Sequence, residues 1–248
     1  MLDQIINIAC SSKRCVVLTG AGISAESGVP TFRGKEGLWG KFRPEELATM
    51  EAFMANPKIV WEWYNWRRQL ISEVKPNPGH YAIAEMEKMF DHFTLITQNV
   101  DDLHRIAGSN SILELHGNIS KNKCLQCSEP FPDDLKISPE EIPACPKCGG
   151  PIRPDVVWFG EMLDAKIIQK AFDESSKADL FLSIGTSAVV QPAASLPIEA
   201  KRSQATLVEV NVNSTPMTSI VDFFVAEPSG EFLPKLVEGI KSKNNAAR

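Results

Sequence analysis

Apolar residues recur at two spacings along the chain. Over residues 2–10, Leu2, Ile5, Ile6 and Ala9 fall at helical spacing and predict a short helix packed on a core. The run Arg14-Cys15-Val16-Val17-Leu18 is compact and apolar and ends at Thr19-Gly20, which predicts a buried strand. Four similar runs follow: Phe93-Thr94-Leu95-Ile96, Leu180-Phe181-Leu182-Ser183-Ile184, Thr206-Leu207-Val208-Glu209-Val210 and Asp222-Phe223-Phe224-Val225. Helical patterns over 79–90 and 165–177 separate several of them. Buried strands alternating with helices predict an α/β fold, a Rossmann-like parallel sheet with helices on both faces.

Two stretches break this rhythm. Residues 34–78 contain Trp39, Trp61, Trp63 and Trp66 and read as helical, whereas 119–155 carry four cysteines and much Pro and Lys. Both are expected to be inserts that form a smaller lobe within a single domain spanning 1–248. Hydrophobic residues make up 43% and charged residues 23%, so disorder of the whole chain is not expected. A net charge of −5 argues against non-specific nucleic-acid binding through the overall field. The start, MLDQIINIAC, lacks the basic segment and long apolar core of a signal peptide, and no apolar run approaches the roughly 18 residues that span a membrane. The expectation is a cytoplasmic protein, by default a monomer, without membrane or nucleic-acid partners.

The first strand runs into Gly20-Ala21-Gly22-Ile23-Ser24-Ala25, a G-x-G-x-x-A pattern. Glycines there permit a tight turn and let backbone N–H groups approach a pyrophosphate. A glycine-rich turn without a ligand is the alternative. Dehydrogenase logic is incomplete, because no acidic residue ends a second strand about 20 residues on. The loop instead continues through Glu26, Ser27, Gly28, Pro30, Thr31, Phe32 and Arg33.

Cys124-x-x-Cys127 and Cys145-x-x-Cys148 stand 17 residues apart, and Gly149-Gly150 follows the second pair. Two knuckles of this spacing form a tetrahedral zinc site. Two disulfides are disfavoured by a reducing compartment, and a redox pair by the presence of two pairs. Four sulfur ligands leave no open position, so one structural zinc ion is expected, with no chemistry of its own.

Polar residues cluster where predicted strands end. Thr97-Gln98-Asn99-Val100-Asp101-Asp102-Leu103-His104 follows one strand, and Gly185-Thr186-Ser187 and Asn211-Val212-Asn213 follow two others. Ligands of open parallel sheets sit beyond these carboxyl ends. A helix cap at Asn99 or Asp101, or plain turns, explain the same composition. His116 follows Ile112-Leu113-Glu114-Leu115 and can act as a base near neutral pH, although a lone histidine is more often structural.

Residues 57–74 predict a helix capped by Asn56, with Pro57 at its first position. Val60, Trp63, Leu70, Ile71 and Val74 share one face, and Arg67 falls inside that stripe with Tyr64 on the same side. A buried guanidinium needs an anion or several acceptors. Arg67 and Tyr64 together can grip a carboxylate; an internal Asp or Glu paired to a snorkelling Arg67 is the alternative.

Taken in order, these residues resemble the sirtuin family over nearly the whole chain. The run from Gly20 to Arg33 is similar to its long NAD loop, and Thr97–His104 to its second signature. His116-Gly117, the four cysteines, Phe159-Gly160-Glu161, Gly185-Thr186-Ser187 and Asn211 follow in the family's order. The pair Tyr64 and Arg67 matches the Tyr-x-x-Arg of the prokaryotic branch related to demalonylating and desuccinylating members. Ser229 departs from the small residue, often alanine, expected near adenine.

The resemblance implies NAD as co-substrate and acyl-lysine proteins or peptides as partners. The acyl oxygen attacks the anomeric carbon of the nicotinamide ribose, and nicotinamide leaves. His116 would be the general base on the ribose hydroxyls that promotes capture of the imidate, and Asn99 would help hold the ribose and a water. Ile23 and Asp101 would line the nicotinamide pocket, and Phe32 and Arg33 would cover the reacting ribose. Gly185, Thr186, Ser187 and Asn211 would hold phosphates and adenosine. Gly20, Ala21, Gly22, Ala25, Glu26, Thr31, Trp39, Gln98, Asn213 and Ser229 complete the implied cofactor site. The peptide would add as a strand against Val157-Trp158-Phe159-Gly160-Glu161. The rival readings are a protein ADP-ribosyltransferase on the same scaffold, a non-catalytic NAD- or zinc-binding module and, more distantly, a dehydrogenase.

Overall fold

The computed structural model describes residues 1–31, 43–132 and 137–246. In chain order the elements are α1 (Leu2–Ser11), β1 (Arg14–Thr19), α2 (Ala21–Ala25), α3 (Pro44–Leu47), α4 (Met50–Ala55), α5 (Pro57–Ser72), α6 (Pro78–Met86), β2 (His92–Thr97), α7 (Leu103–Ile106), β3 (Ile112–Glu114), β4 (Gly117–Cys124), β5 (Pro130–Phe131), β6 (Ile152–Val156), α8 (Ala165–Ser175), β7 (Leu180–Ile184), α9 (Leu196–Arg202), β8 (Thr206–Val210), β9 (Phe223–Val225) and α10 (Ser229–Ala246).

Six strands form one sheet in the order β3-β2-β1-β7-β8-β9, and every pairing in it is parallel. The chain works outward from β1 to β3, then returns to the other side of β1 and works outward again. That reversal leaves a crevice at the carboxyl ends of β1 and β7, where doubly wound sheets take ligands. The apolar run of β1 is split between the two faces by the strand's period of two. Cys15 and Val17 join a core with α1, α6 and α10, while Val16 and Leu18 join a second core with α8 and α9. The fold is thus the Rossmann-like sheet with helices on both faces that the hydrophobic pattern predicts. Among the described residues no helix is long and apolar enough to cross a membrane.

A third core lies apart from the sheet. It joins Leu47, Phe53, Val60, Trp61, Trp63, Tyr64 and Ile71 from the helices to Ile119, Cys124, Cys145, Ile152, Val156 and Trp158 from the cysteine segment. The strands there, in the order β5-β4-β6, are antiparallel. Helix α5 starts where its signals place it: Pro57 is at the first turn and the Asn56 side chain accepts from the Ile59 N–H at 3.3 Å. Its buried stripe is wider than the predicted one. Trp61 is fully buried and donates its indole N–H to the Ile152 carbonyl at 3.2 Å, while Leu70 and Val74 are only half-buried. The cysteine segment covers a flank of α5 that helix periodicity alone assigns to solvent. Burying one such side chain stabilises by about 1.5–3 kcal/mol, so α5 and the cysteine segment stabilise each other.

Candidate active site

The turn after β1 is built by close approach of backbone. Gly20 N–H donates to the Ile184 carbonyl at 3.0 Å and Gly22 N–H to the Gly185 carbonyl at 2.7 Å. A Cβ on Gly22 would lie 2.6 Å from the Gly185 Cα, inside any tolerable contact. Gly185 itself has φ 59°, and a Cβ there would meet the Ile23 nitrogen at 2.5 Å. The glycines let the β1 and β7 turns touch, which sets the floor of the crevice.

A buried polar network supports this floor. The Ser24 hydroxyl donates to an Asp101 carboxylate oxygen at 2.7 Å and accepts from the Asn99 amide at 3.1 Å, with His80 Nε2 at 3.5 Å. The Asn99 amide nitrogen also donates to the Gly20 carbonyl at 3.1 Å, so its oxygen is left to serve the crevice. The other Asp101 oxygen accepts from the Leu103 N–H at 3.1 Å. Asp101 therefore both caps the turn into α7 and braces the loop. Burial pushes its carboxyl pKa up, and the bonds from Ser24 and Leu103 and the charge of Arg67 work against that rise. The His80 and His104 rings lie 4.8 Å apart, tilted by 54°, and are held neutral by burial, with pKa values pushed down to about 4 and about 3.

His116 sits half-buried one residue after Leu115, beyond the end of β3. Its Nδ1 lies 3.0 Å from the Gln98 carbonyl, which can only accept. A neutral ring is thereby fixed with the proton on Nδ1 and the lone pair on Nε2. Burial lowers its pKa and the Gln98 bond opposes that shift, so the neutral form is the one present at pH 7. Gln98 also donates to the Thr186 hydroxyl at 2.9 Å, and Asn211 donates to the Thr186 carbonyl at 2.9 Å, tying together the ends of β2, β7 and β8.

One cavity of about 900 Å³ runs along these strand ends, near the upper end of the usual range for ligand pockets. At one end Glu26 accepts from the Ser229 hydroxyl and, at 2.9 Å, from the Gly230 N–H. Ser229 thus closes that end through Glu26. Tyr64, Arg67 and Trp158 also line this cavity. Arg67 is 7% exposed, with its guanidinium over the Trp63 ring at 4.9 Å and near the Tyr64 ring at 6.0 Å. Burial lowers its pKa, while Tyr64 and Asp101 act to hold its charge.

The four sulfurs of Cys124, Cys127, Cys145 and Cys148 all lie within 4.8 Å of one another. Four thiols converging from two knuckles, away from the cavity, fit one tetrahedral zinc ion and leave no ligand position for substrate.

The cavity is lined by Gly20, Ala21, Gly22, Ala25, Glu26, Thr31, Gln98, Asn99, His116, Gly185, Thr186, Ser187, Asn211, Asn213 and Ser229, and by Tyr64, Arg67 and the whole segment Val157–Glu161. Ile23 points instead into the core, fully buried, and Asp101 stands behind Ser24; neither lines the cavity. Phe32, Arg33 and Trp39 lie outside the described residues. Ser24, Asn77, His80 and His104 support the site in ways that no motif in the sequence marks as functional. Asn77 donates to the Ile23 carbonyl at 2.7 Å and forms a reciprocal capping box with His80. The signal was present in Asn77-Pro78-Gly79-His80, an N-cap followed by a first-turn proline.

Comparison with known proteins agrees with this geometry. The sequence model of the Sir2 family matches residues 20–192. The chain is 53% identical over 248 residues to an NAD-dependent protein deacylase of Pyrococcus furiosus, covering 97% of this chain and 98% of that protein. It is 53% identical over 228 residues to an NAD-dependent protein deacylase of Aquifex aeolicus, covering 92% and 95%. Among solved structures, a Sir2 homologue–NAD complex superposes with a TM-score of 0.91 at 44% identity, covering 97% of this chain and 94% of that one. A complex described as Sir2–p53 peptide–NAD+ superposes at 0.84 with 32% identity, covering 96% and 98%. The chain belongs to the Sir2 family, the sirtuins.

Proposed function

We propose that this protein is an NAD-dependent protein-lysine deacylase that removes acetyl groups and also acidic acyl groups, succinyl or malonyl, giving nicotinamide and O-acyl-ADP-ribose. The observation that carries the reading is one cavity lined together by the glycine turn, by Tyr64 and Arg67, and by His116, whose Nδ1 is committed to the Gln98 carbonyl. NAD, when bound, supplies an electrophilic ribose carbon with nicotinamide as leaving group. His116 takes a ribose hydroxyl proton on Nε2, because Nδ1 is committed to Gln98. Asn99, held by Gly20 and Ser24, presents its amide oxygen to the ribose or a water. The segment Val157–Glu161 receives the peptide backbone, and Arg67 with Tyr64 receives the acyl carboxylate through charge-assisted bonds. The whole chain acts as one catalytic domain, with 34–78 and 119–155 as the inserts that build the acyl end.

Parallel assays of acetyl-, malonyl- and succinyl-lysine peptides with NAD test the proposal. Acyl-ADP-ribose in the mass spectrum supports it. ADP-ribosylated peptide without free lysine supports the transferase reading instead. No turnover of any peptide, with NAD still bound, supports a non-catalytic module.

A further inference from the structure

Tyr64 is buried to 2% exposure, yet its hydroxyl meets a group that can only donate. The Trp158 indole nitrogen lies 2.9 Å from the Tyr64 oxygen, and an indole N–H has no acceptor capacity. Tyr64 is therefore the acceptor in this bond, and its own proton remains to be given elsewhere. Among the described residues no acceptor takes that proton, and Tyr64, Trp158 and Arg67 all line the same cavity. Burial pushes the Tyr64 pKa up to about 12, so the proton is present at neutral pH.

Trp158 is itself held firmly. Its ring packs on Phe53 at 5.3 Å and lies over the Arg153 guanidinium at 3.3 Å from the centroid. Arg153, 2% exposed, donates to both carboxylate oxygens of Glu161 and to the Val156 carbonyl, and Glu161 accepts from the Trp158 backbone N–H at 2.7 Å. A buried cation with its charge and donors matched in this way holds its neighbours in one arrangement. The indole N–H is aimed by a clamp, which makes its bond to Tyr64 a directional device as well as packing.

We propose that Trp158 is a specificity-setting positioning residue: its indole N–H occupies the acceptor side of Tyr64, turns that hydroxyl into a committed donor toward an acyl carboxylate, and is held in place by Arg153 and Glu161. The inference rests on the acidic-acyl reading above and deepens it. An uncharged acyl chain offers no terminal acceptor to such a donor, so the device favours succinyl over an equally long aliphatic acyl.

The test compares kcat/KM for succinyl- and butyryl-lysine peptides in wild type, Trp158→Phe, Tyr64→Phe and the double variant. Replacing Trp158 by 3-benzothienylalanine, which keeps the bicyclic shape without the N–H, serves where Trp158→Phe folds poorly. Removing the N–H is expected to lower the succinyl-to-butyryl ratio about fivefold, chiefly through KM for succinyl. In the Tyr64→Phe background the same change is expected to move the ratio less than about twofold, because the coupling partner is gone. A ratio unchanged in the benzothienyl protein overturns the proposal, and so does an undiminished drop in the Tyr64→Phe background. Wild type that shows no preference for succinyl overturns the acidic-acyl reading itself, a result distinct from either of those.

Discussion

Two parts of the cavity are made by different means. The part proposed to take the cofactor is a backbone construction, in which glycine turns after β1 and β7 press together and the ends of β2, β7 and β8 are tied by Gln98, Thr186 and Asn211. The part around Tyr64 and Arg67, proposed to take the acyl group, is a side-chain construction, in which Tyr64 of α5 meets Trp158, a residue 94 positions away. A backbone site depends on small residues in the turns at a few strand ends. A side-chain site depends on two inserts folding against each other, and so on the four cysteines that order one of them.

That contrast can be broken in order of expected effect. Cys145→Ala removes a zinc ligand, and the binding energy of a structural zinc is on the order of 10 kcal/mol. Loss of zinc, a lowered melting temperature and loss of all deacylation are expected. A variant that loses zinc yet keeps full activity would show the module to be dispensable, and one that keeps one zinc per chain would remove Cys145 from the ligand set. His116→Ala is expected to lower kcat/KM on every acyl peptide by about 10²–10⁴-fold with folding intact. Turnover equal to wild type would remove His116 from the mechanism.

Gly22→Ala strikes only the backbone part, where its Cβ would stand 2.6 Å from the Gly185 Cα. The expectation is a rise of about tenfold or more in the apparent KM for NAD, from a local strain of ~1–3 kcal/mol, with the succinyl-to-acetyl ratio unchanged. Arg67→Met strikes only the other part. Loss of a charge-assisted bond worth ~1.5–3 kcal/mol lowers succinyl activity about 10–100-fold relative to acetyl. Equal losses on both peptides would make Arg67 a purely structural cation.

The last effect concerns pH, and it leaves both parts of the cavity unchanged at neutral pH. His80 and His104 are depressed to about 4 and about 3, below the ordinary value of 6.5. Between pH 6.5 and 4 the unfolded chain binds protons that the folded chain refuses, so stability falls as pH falls, by up to about 1.4 kcal/mol per pH unit for each histidine. Above 6.5 both states are neutral and the effect vanishes. His104→Gln should flatten the slope of melting temperature against pH across that window; an unchanged slope would exclude His104 as a contributor.

The helix α5 shows where sequence reading runs out. Its start, its length and the anomaly of Arg67 in an apolar stripe were legible from Asn56-Pro57 and the 3.6-residue period. The burial of Trp61 was not, because the segment that covers it lies more than 90 residues further on. Nothing in the spacing of His104 marks it as a support; only the structure sets its ring 4.8 Å from that of His80 and places Thr19 at 3.0 Å from its ring nitrogen. Ile23 belonged to a recognisable loop, yet its side chain faces the core, because the short helix α2 turns that position inward.

The order of strands and helices, the glycine turn and the cysteine pairs were determined by the sequence itself. Each depends on residues within a few positions of one another, and local sterics and periodicity decide such features. Only the tertiary structure decided which nitrogen of His116 is free, which way the Tyr64 hydroxyl is committed, and that Arg67 opens onto the same cavity as the glycine turn. Those depend on hydrogen-bond partners brought together by packing across the fold, and no spacing along the chain encodes the direction of a proton.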